Sequence, residues 1–183
     1  MTTFRSFETE RLIIRPTAYE DASFIYELLN TPKWLQFIGD RKVNSLKDAE
    51  AYIKNRMMPQ LERLGYSNYT IIRKSDGVKL GTCGLYDRVG LDGIDIGFAF
   101  LPQYEKNGYA FEAANKIKEA AFSCFNIDQI CAITTKENTA SQKLLEKLGL
   151  KYITMVKIPN DEEELLLYQL NVATQVPVEA PKA

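Results

Sequence analysis

Histidine is missing from this chain of 183 residues. Its absence removes Ser–His and Cys–His nucleophilic schemes and argues against a catalytic zinc site. Any general base must be a carboxylate, a tyrosine or a water held by backbone groups. Cysteine is scarce. Cys83, Cys124 and Cys131 show no close pair, and each lies in an apolar context. They read as buried free thiols rather than as a disulfide or a metal set. No apolar run approaches the roughly 20 residues needed to span a bilayer. Met1 to Glu10 carries no signal-peptide pattern, so the expected compartment is the cytoplasm. Charge of one sign is not in excess either. The 23 basic and 24 acidic residues leave a net charge of −1, and nothing marks a nucleic-acid surface.

What is present is enough apolar material for one domain with a real core: 45% of the residues. Leu12 to Arg15 reads as a strand ended by Pro16. Tyr19 to Asn30 reads as a helix with Phe24, Ile25, Leu28 and Leu29 inward. Thr31 to Asn44 reads as an irregular link. Ser45 can cap a helix that runs to about Leu64, where Gly65 stops it. Tyr69–Arg73 and Val78–Arg88 read as strands joined by a tight turn at Ser75-Asp76-Gly77. Then follow a strand at Ile94–Leu101, a helix at 109–125, a strand at 129–135, a helix at 139–148, and strands at 151–157 and 164–170. The order predicts one α+β domain over residues 1–171, with a mixed, mostly antiparallel sheet of about seven strands and about four helices. Val172 to Ala183 reads as a disordered tail. The acidic run Asp161 to Glu164 reads as a solvated turn, with attraction of a cationic amine as the sharper alternative.

Two stretches carry chemistry. Gln103 to Ala114 (Gln-Tyr-Glu-Lys-Asn-Gly-Tyr-Ala-Phe-Glu-Ala-Ala) joins a strand to a helix through a glycine. Such a turn leaves backbone N–H groups unpaired at a helix start, where the dipole adds positive charge, and so suits a diphosphate. Thr134 to Tyr152 repeats the layout. Asn138 stands where an N-cap belongs, Leu144, Leu145 and Leu148 form an apolar face, and Gly149 ends the helix. Each stretch alone is also an ordinary strand–turn–helix.

Together they make the chain resemble the GNAT acetyltransferases, in particular the branch of ribosomal-protein N-terminal and spermidine acetyltransferases. The resemblance runs from Glu8 to about Leu170. It rests on Glu8 to Pro16, on Asp95-Ile96-Gly97-Phe98, on Gly108-Tyr109-Ala110, and on Asn138-x-x-Ser141 with Glu146 to Leu150. It implies transfer of an acetyl group from acetyl-CoA to an amine, with no metal. In the implied reaction the amine attacks the thioester carbonyl, an oxyanion forms and a thiolate leaves. By the same resemblance, Phe98, Ala99 and Phe100 pair with the pantetheine arm as an added strand would. Glu105, Lys106, Asn107, Gly108, Tyr109, Ala110 and Phe111 hold the diphosphate, and Asn138 offers its amide to the pantetheine.

Two positions depart from the family pattern. Glu105 stands where Gln or Arg is usual, and is expected to point to solvent while its backbone N–H still serves the phosphate. Leu145 stands where many relatives carry the tyrosine that reprotonates the thiolate. Ser141 is the remaining hydroxyl at a spacing used in the ribosomal-protein branch, and is the candidate acid. Asp95 falls at the acidic position and is the candidate for binding the acceptor ammonium and relaying its proton; the plainer reading is a solvated strand end. Trp34, Phe37 and Tyr52 fall in the region of the acceptor wall, or simply pack in the core. The expected acceptor is a protein N-terminus, such as that of a ribosomal protein, or a small amine, and the chain a monomer or homodimer. The alternative is a non-catalytic CoA-binding sensor or interaction module on the same fold.

Overall fold

One twisted sheet organises the chain in the computed structural model, which describes residues 4–159 and 163–172. Its eight strands are β1 (Phe7–Glu8), β2 (Leu12–Pro16), β3 (Asn68–Arg73), β4 (Lys79–Tyr86), β5 (Ile94–Phe100), β6 (Gln129–Thr134), β7 (Lys151–Val156) and β8 (Leu165–Asn171). They run in the order β1-β2-β3-β4-β5-β6-β8-β7. Every neighbouring pair is antiparallel except β5–β6. The parallel pair follows from the chain between them, which crosses over through a helix. The α+β expectation holds; among the described residues there is one strand more than predicted and, with the two helices joined through Ile53–Met57 counted as one rod, one helix more. The extra strand, β1, has two residues.

The helices are α1 (Ala22–Leu29), α2 (Pro32–Phe37), α3 (Leu46–Tyr52), α4 (Met58–Leu64), α5 (Tyr109–Cys124) and α6 (Thr139–Lys147). Helices α3 and α4 form one rod, joined by a π-helical stretch at Ile53–Met57. There the Met58 N–H bonds to the Ile53 carbonyl, a wider i→i+5 step. Pro59 explains the position of the bulge: it has no N–H to donate and its ring crowds the preceding turn. Ser45 accepts from the Asp48 N–H, as its place before the helix predicts. Helix α2 lies where an irregular link was expected. Thr31 caps it and Pro32 opens it, a combination that starts a helix without a long apolar period.

Helices α5 and α6 cover one face of the sheet, where Leu12, Ile71, Leu80, Ile96, Ile117, Leu145 and Leu148 meet in the larger core. On the other face Phe24, Ile25, Leu28, Leu29, Ile53 and Met57 form a second core with Leu101. Because strand residues alternate faces, Ile96, Phe98 and Phe100 point toward α5, while Asp95, Gly97 and Ala99 point toward the α1–α4 side. Cys83 and Cys131 are buried, Cys124 is half-buried, and all three are free. Of the expected tail, Val172 is bound to the sheet through its N–H to the Asp128 carbonyl, 3.0 Å. Residues 173–183 lie outside the described residues, as do Asp161 and Glu162 of the acidic run.

Candidate active site

The sheet opens along β5. This strand pairs with β4 over six positions, from Gly81↔Phe100 to Tyr86↔Asp95. With β6 it pairs at two, Ile94↔Ile130 and Asp95↔Cys131. Past Asp95 the two strands part. The outer edge of Ile96 to Phe100 therefore has no strand beside it among the described residues. An open edge inside a sheet leaves backbone donors and acceptors free for an extended ligand to pair with. Phe98, Ala99 and Phe100 lie on that edge.

At its far end β5 runs into the loop before α5. A short 3₁₀ turn spans Pro102–Tyr104. Lys106 has φ +62° and Gly108 φ +80°. Both are left-handed, and the glycine adopts that conformation without strain. Gly108 is the N-cap of α5, and no side chain caps the 16-residue helix. Its first-turn N–H groups, at Tyr109, Ala110 and Phe111, have no partner of the helical i→i−4 kind and sit at the positive end of the dipole.

Glu105 differs from expectation in both respects. Its N–H is spent on the Pro102 carbonyl, 3.3 Å. Its carboxylate does not point to solvent but pairs with Lys33 of α2. The Asn107 amide donates to the Glu105 carbonyl at 2.9 Å, which tightens the turn.

Arg11 is a loop residue that sequence reading did not single out. Its Nη2 lies 2.6 Å from Glu112 and its Nη1 donates to the Asn107 carbonyl at 3.1 Å. Its guanidinium stacks 4.4 Å over the Tyr109 ring. The Thr9 hydroxyl also donates to Glu112, at 2.6 Å. The β1–β2 turn thus braces the loop from outside. Arg11 lies 101 residues from Glu112, and no spacing rule reaches that far. A surface cleft of about 560 Å³ adjoins the loop, lined by Arg11, Gly108, Phe111, Lys116 and Lys147 among others.

Asn138 caps α6 by accepting from the Ser141 N–H at 3.1 Å. Its carbonyl oxygen is committed to the cap, and its NH₂ remains as a donor. The two expected roles are compatible. Ser141, the third residue of the helix, is partly exposed. Leu145 is 1% exposed and belongs to the core, so no hydroxyl stands there.

Asp95 is not a solvated strand end. It is 2% exposed, and Arg88 Nε donates to it at 2.7 Å. Burial pushes its carboxyl up from the ordinary value, against the opposing pull of Arg88 and of the Ile133 N–H. Tyr86, its partner across the strands, lays its ring over Gly97, where a Cβ would come within 3.0 Å of it. The Tyr86 hydroxyl donates to Asn68 at 2.5 Å. Sequence reading missed Tyr86 and Arg88. The register that turns both toward Asp95 is set by the β4–β5 hairpin, not by spacing.

Trp34 and Phe37 lie half-buried on α2, and Tyr52 is half-buried on α3. Trp34 and Tyr52 pack against the second core, on the face to which Asp95 points. The Trp34 indole N–H is buried without a partner among the described residues. Asp95 and the loop lie at opposite ends of β5, five residues apart from Asp95 to Phe100, or roughly 17 Å along a strand.

Residues 11–151 match the Acetyltransferase (GNAT) domain family. The chain belongs to the GNAT acetyltransferases. It is an acyltransferase of the N-acetyltransferase kind. YnaD of Bacillus subtilis (strain 168), an uncharacterized N-acetyltransferase, is 28% identical over 143 residues, covering 78% of this chain and 81% of YnaD. A GNAT-family acetyltransferase from Bacillus anthracis shares the fold with a TM-score of 0.76 at 23% identity, over 91% of this chain and 98% of that one. The ribosomal L7/L12 α-N-protein acetyltransferase RimL, solved in complex with coenzyme A, shares it with a TM-score of 0.76 at 14% identity, over 89% and 95%. Ribosomal-protein acetyltransferases are therefore among the structural neighbours of this GNAT chain.

Proposed function

We propose that this GNAT protein moves the acetyl group of acetyl-CoA to a primary amine, on a protein N-terminus or a small molecule, with both substrates bound together. Acetyl-CoA, when bound, supplies the acetyl group as an activated thioester. The observation that carries the reading is the opening of β5 from β6 past Asp95, leading to an uncapped helix start. The free edge at Phe98 to Phe100 suits an extended amide-bearing arm. The N–H groups of Tyr109, Ala110 and Phe111 suit a diphosphate. The two sites are continuous, because β5 runs directly into the loop.

Within this reading each residue has a task. Backbone N–H groups at Phe98 to Phe100 face negative charge developing on the acyl oxygen. Asp95 draws the acceptor ammonium to the closed end of the opening and takes up its proton through water, while Arg88 holds the carboxylate in place. Trp34 and Phe37 wall the acceptor side. Ser141 returns a proton to the leaving sulfur, directly or through water.

Turnover of acetyl-CoA with a panel of amines and peptide N-termini, read by thiol release, tests the activity. Binding is tested separately by melting. CoA at a hundredfold excess over Kd is expected to stabilise the fold by about 2.7 kcal/mol. Gly108→Val is expected to need at least about tenfold more CoA for the same shift, since a β-branched residue is poorly suited to φ +80° and Arg11 Nη2 lies 3.3 Å from where a Cβ would stand. An unchanged melting temperature with saturating CoA would remove the cofactor assignment. For Ser141→Ala the expected result is a fall in kcat of about tenfold with little change in the KM for acetyl-CoA, as befits a weak acid. If kcat stays unchanged while chemistry limits the rate, Ser141 has no part in the reaction.

A further inference from the structure

Glu105 raises a problem that the fold resolves with a residue from elsewhere in the chain. A carboxylate stands in the loop proposed to receive a diphosphate. Unanswered, it would oppose each nearby phosphate charge by about 1 kcal/mol in well-hydrated surroundings and by more where water is excluded. The loop's own backbone does not offset this at residue 105, because that N–H is already bonded to Pro102. The side chain in contact with the carboxylate is Lys33, at the start of α2 and 72 residues away.

We propose that Lys33 is the cation that meets the cofactor's diphosphate, and that Glu105 parks it over the loop until the diphosphate displaces the carboxylate. This rests on the cofactor reading above and assigns to the diphosphate a cation from a different element, beyond the loop's own Lys106. Three observations carry it. First, the Lys33 ammonium already touches the loop, so a short swing of its flexible stem reaches a ligand seated there. Second, its side chain is 54% exposed. An exposed ion pair contributes about 0–1 kcal/mol, so little opposes the exchange. A diphosphate diester carries a charge on each phosphorus and offers more acceptor oxygens than Glu105 does. Third, of the nearby cations Arg11 and Lys147 are engaged, which leaves the exposed Lys106 of the loop itself as the competitor that the test below separates from Lys33. Arg11 is bonded to Glu112 and to the Asn107 carbonyl, and Lys147 lies 4.2 Å over the Phe111 ring.

The exchange has a reporter built in. Trp34 follows Lys33 on α2 and is the single tryptophan of the chain. Its ring packs against the second core with the indole N–H buried, so its emission is sensitive to small shifts at the start of α2. Re-pairing of Lys33 is expected to alter the surroundings of the indole and hence its fluorescence.

The test is equilibrium binding by calorimetry, with CoA and with pantetheine, which lacks the diphosphate. Lys33→Met is expected to weaken CoA binding about tenfold and leave pantetheine binding unchanged. Glu105→Gln is expected to tighten CoA binding about threefold or more, by removing the competing carboxylate. The double variant Lys33→Met/Glu105→Arg is expected to recover affinity, since the cation then comes from the loop. The Trp34 fluorescence change on adding CoA should appear in the wild type and vanish in Lys33→Met. Equal CoA affinity in Lys33→Met and wild type would overturn the proposal, as would weaker CoA binding by Glu105→Gln. So would an equal loss for CoA and pantetheine, because the lysine would then support the fold of the site rather than the diphosphate. Transfer of the tenfold effect to Lys106→Met would assign the contact to the loop itself and overturn it too. Failure of the wild type to bind CoA at all is a distinct result, and removes the cofactor reading instead.

Discussion

Asp95→Asn is expected to lower kcat/KM for the amine acceptor about 10²-fold, roughly 2.7 kcal/mol of transition-state stabilisation, with CoA affinity unaltered. The substitution keeps the shape and removes the charge. Arg88 loses its partner but is not stranded, because its side chain is 34% exposed and water can reach it. Amines mostly arrive as ammonium ions at neutral pH and must be neutral to attack. A carboxylate at the closed end of the opening serves both stages, first attracting the cation and then accepting the proton. The pH profile follows from the environment of Asp95. Burial raises its carboxyl above the ordinary value of about 3.9. The working form is the ionised one, so activity should fall with decreasing pH along a limb that starts above the usual carboxylate range. In Asp95→Asn that limb should disappear, and part of the lost rate should return at high pH, where more of the amine is already neutral. Steady-state kinetics from about pH 4.5 to 9, spanning the region above the ordinary carboxylate value, decide the matter. Identical profiles for variant and wild type would leave Asp95 a structural partner of Arg88.

Asp21→Ala is expected to destabilise the fold by about 3 kcal/mol or more, the cost of breaking a buried ion cluster by removing one member. For a chain of this size that corresponds to a fall in Tm of roughly 6–12 °C. Asp21 is 0% exposed. It accepts both Arg15 Nη1 and Nη2 at 2.7 and 2.8 Å, the Thr70 hydroxyl at 3.0 Å and the Ala18 N–H at 3.0 Å, and pairs with Lys79 at 2.7 Å. These contacts join β2, β3 and β4 to the start of α1. Burial pushes the carboxyl up, but Arg15, Lys79 and the Ala18 N–H outweigh it and hold the value at about 2. The folded value therefore lies below the unfolded one near 3.9. The ionised carboxylate contributes about 2 kcal/mol that is fully present above pH 4 and is lost as pH falls toward 2. Asp21→Asn should remove that part of the acid limb of stability while costing less than the alanine variant at pH 7. Urea unfolding at pH 7 and pH 3 measures both effects. An equal pH dependence in Asp21→Asn and wild type would show that the cluster is not the source of acid sensitivity.

Much of the architecture could be read locally. Ser45 and Asn138 lie a few residues from the N–H groups they cap, so short-range spacing carries the information. Gly65, Gly108 and Gly149 mark left-handed positions for the same reason. Apolar, β-branched runs and the turn residues between them placed seven of the eight strands, and the order of motifs carried the resemblance to the family. Helix α2 escaped because it has six residues, none of them fully buried, too few to show a helical apolar period.

The site itself was decided by contacts that no local spacing encodes. The sequence by itself determined the turn at Gly108, the cap at Asn138 and the apolar faces that drive the two cores together. Each of these depends on residues within a turn or a strand's length of one another. Only the tertiary structure decided that Asp95 is buried against Arg88, that Arg11 braces a loop 96 residues further on, and that Glu105 is answered by Lys33. It also decided where β5 leaves β6. Those outcomes follow from strand register and from the packing of helices on opposite faces of one sheet, which are fixed by the whole core at once.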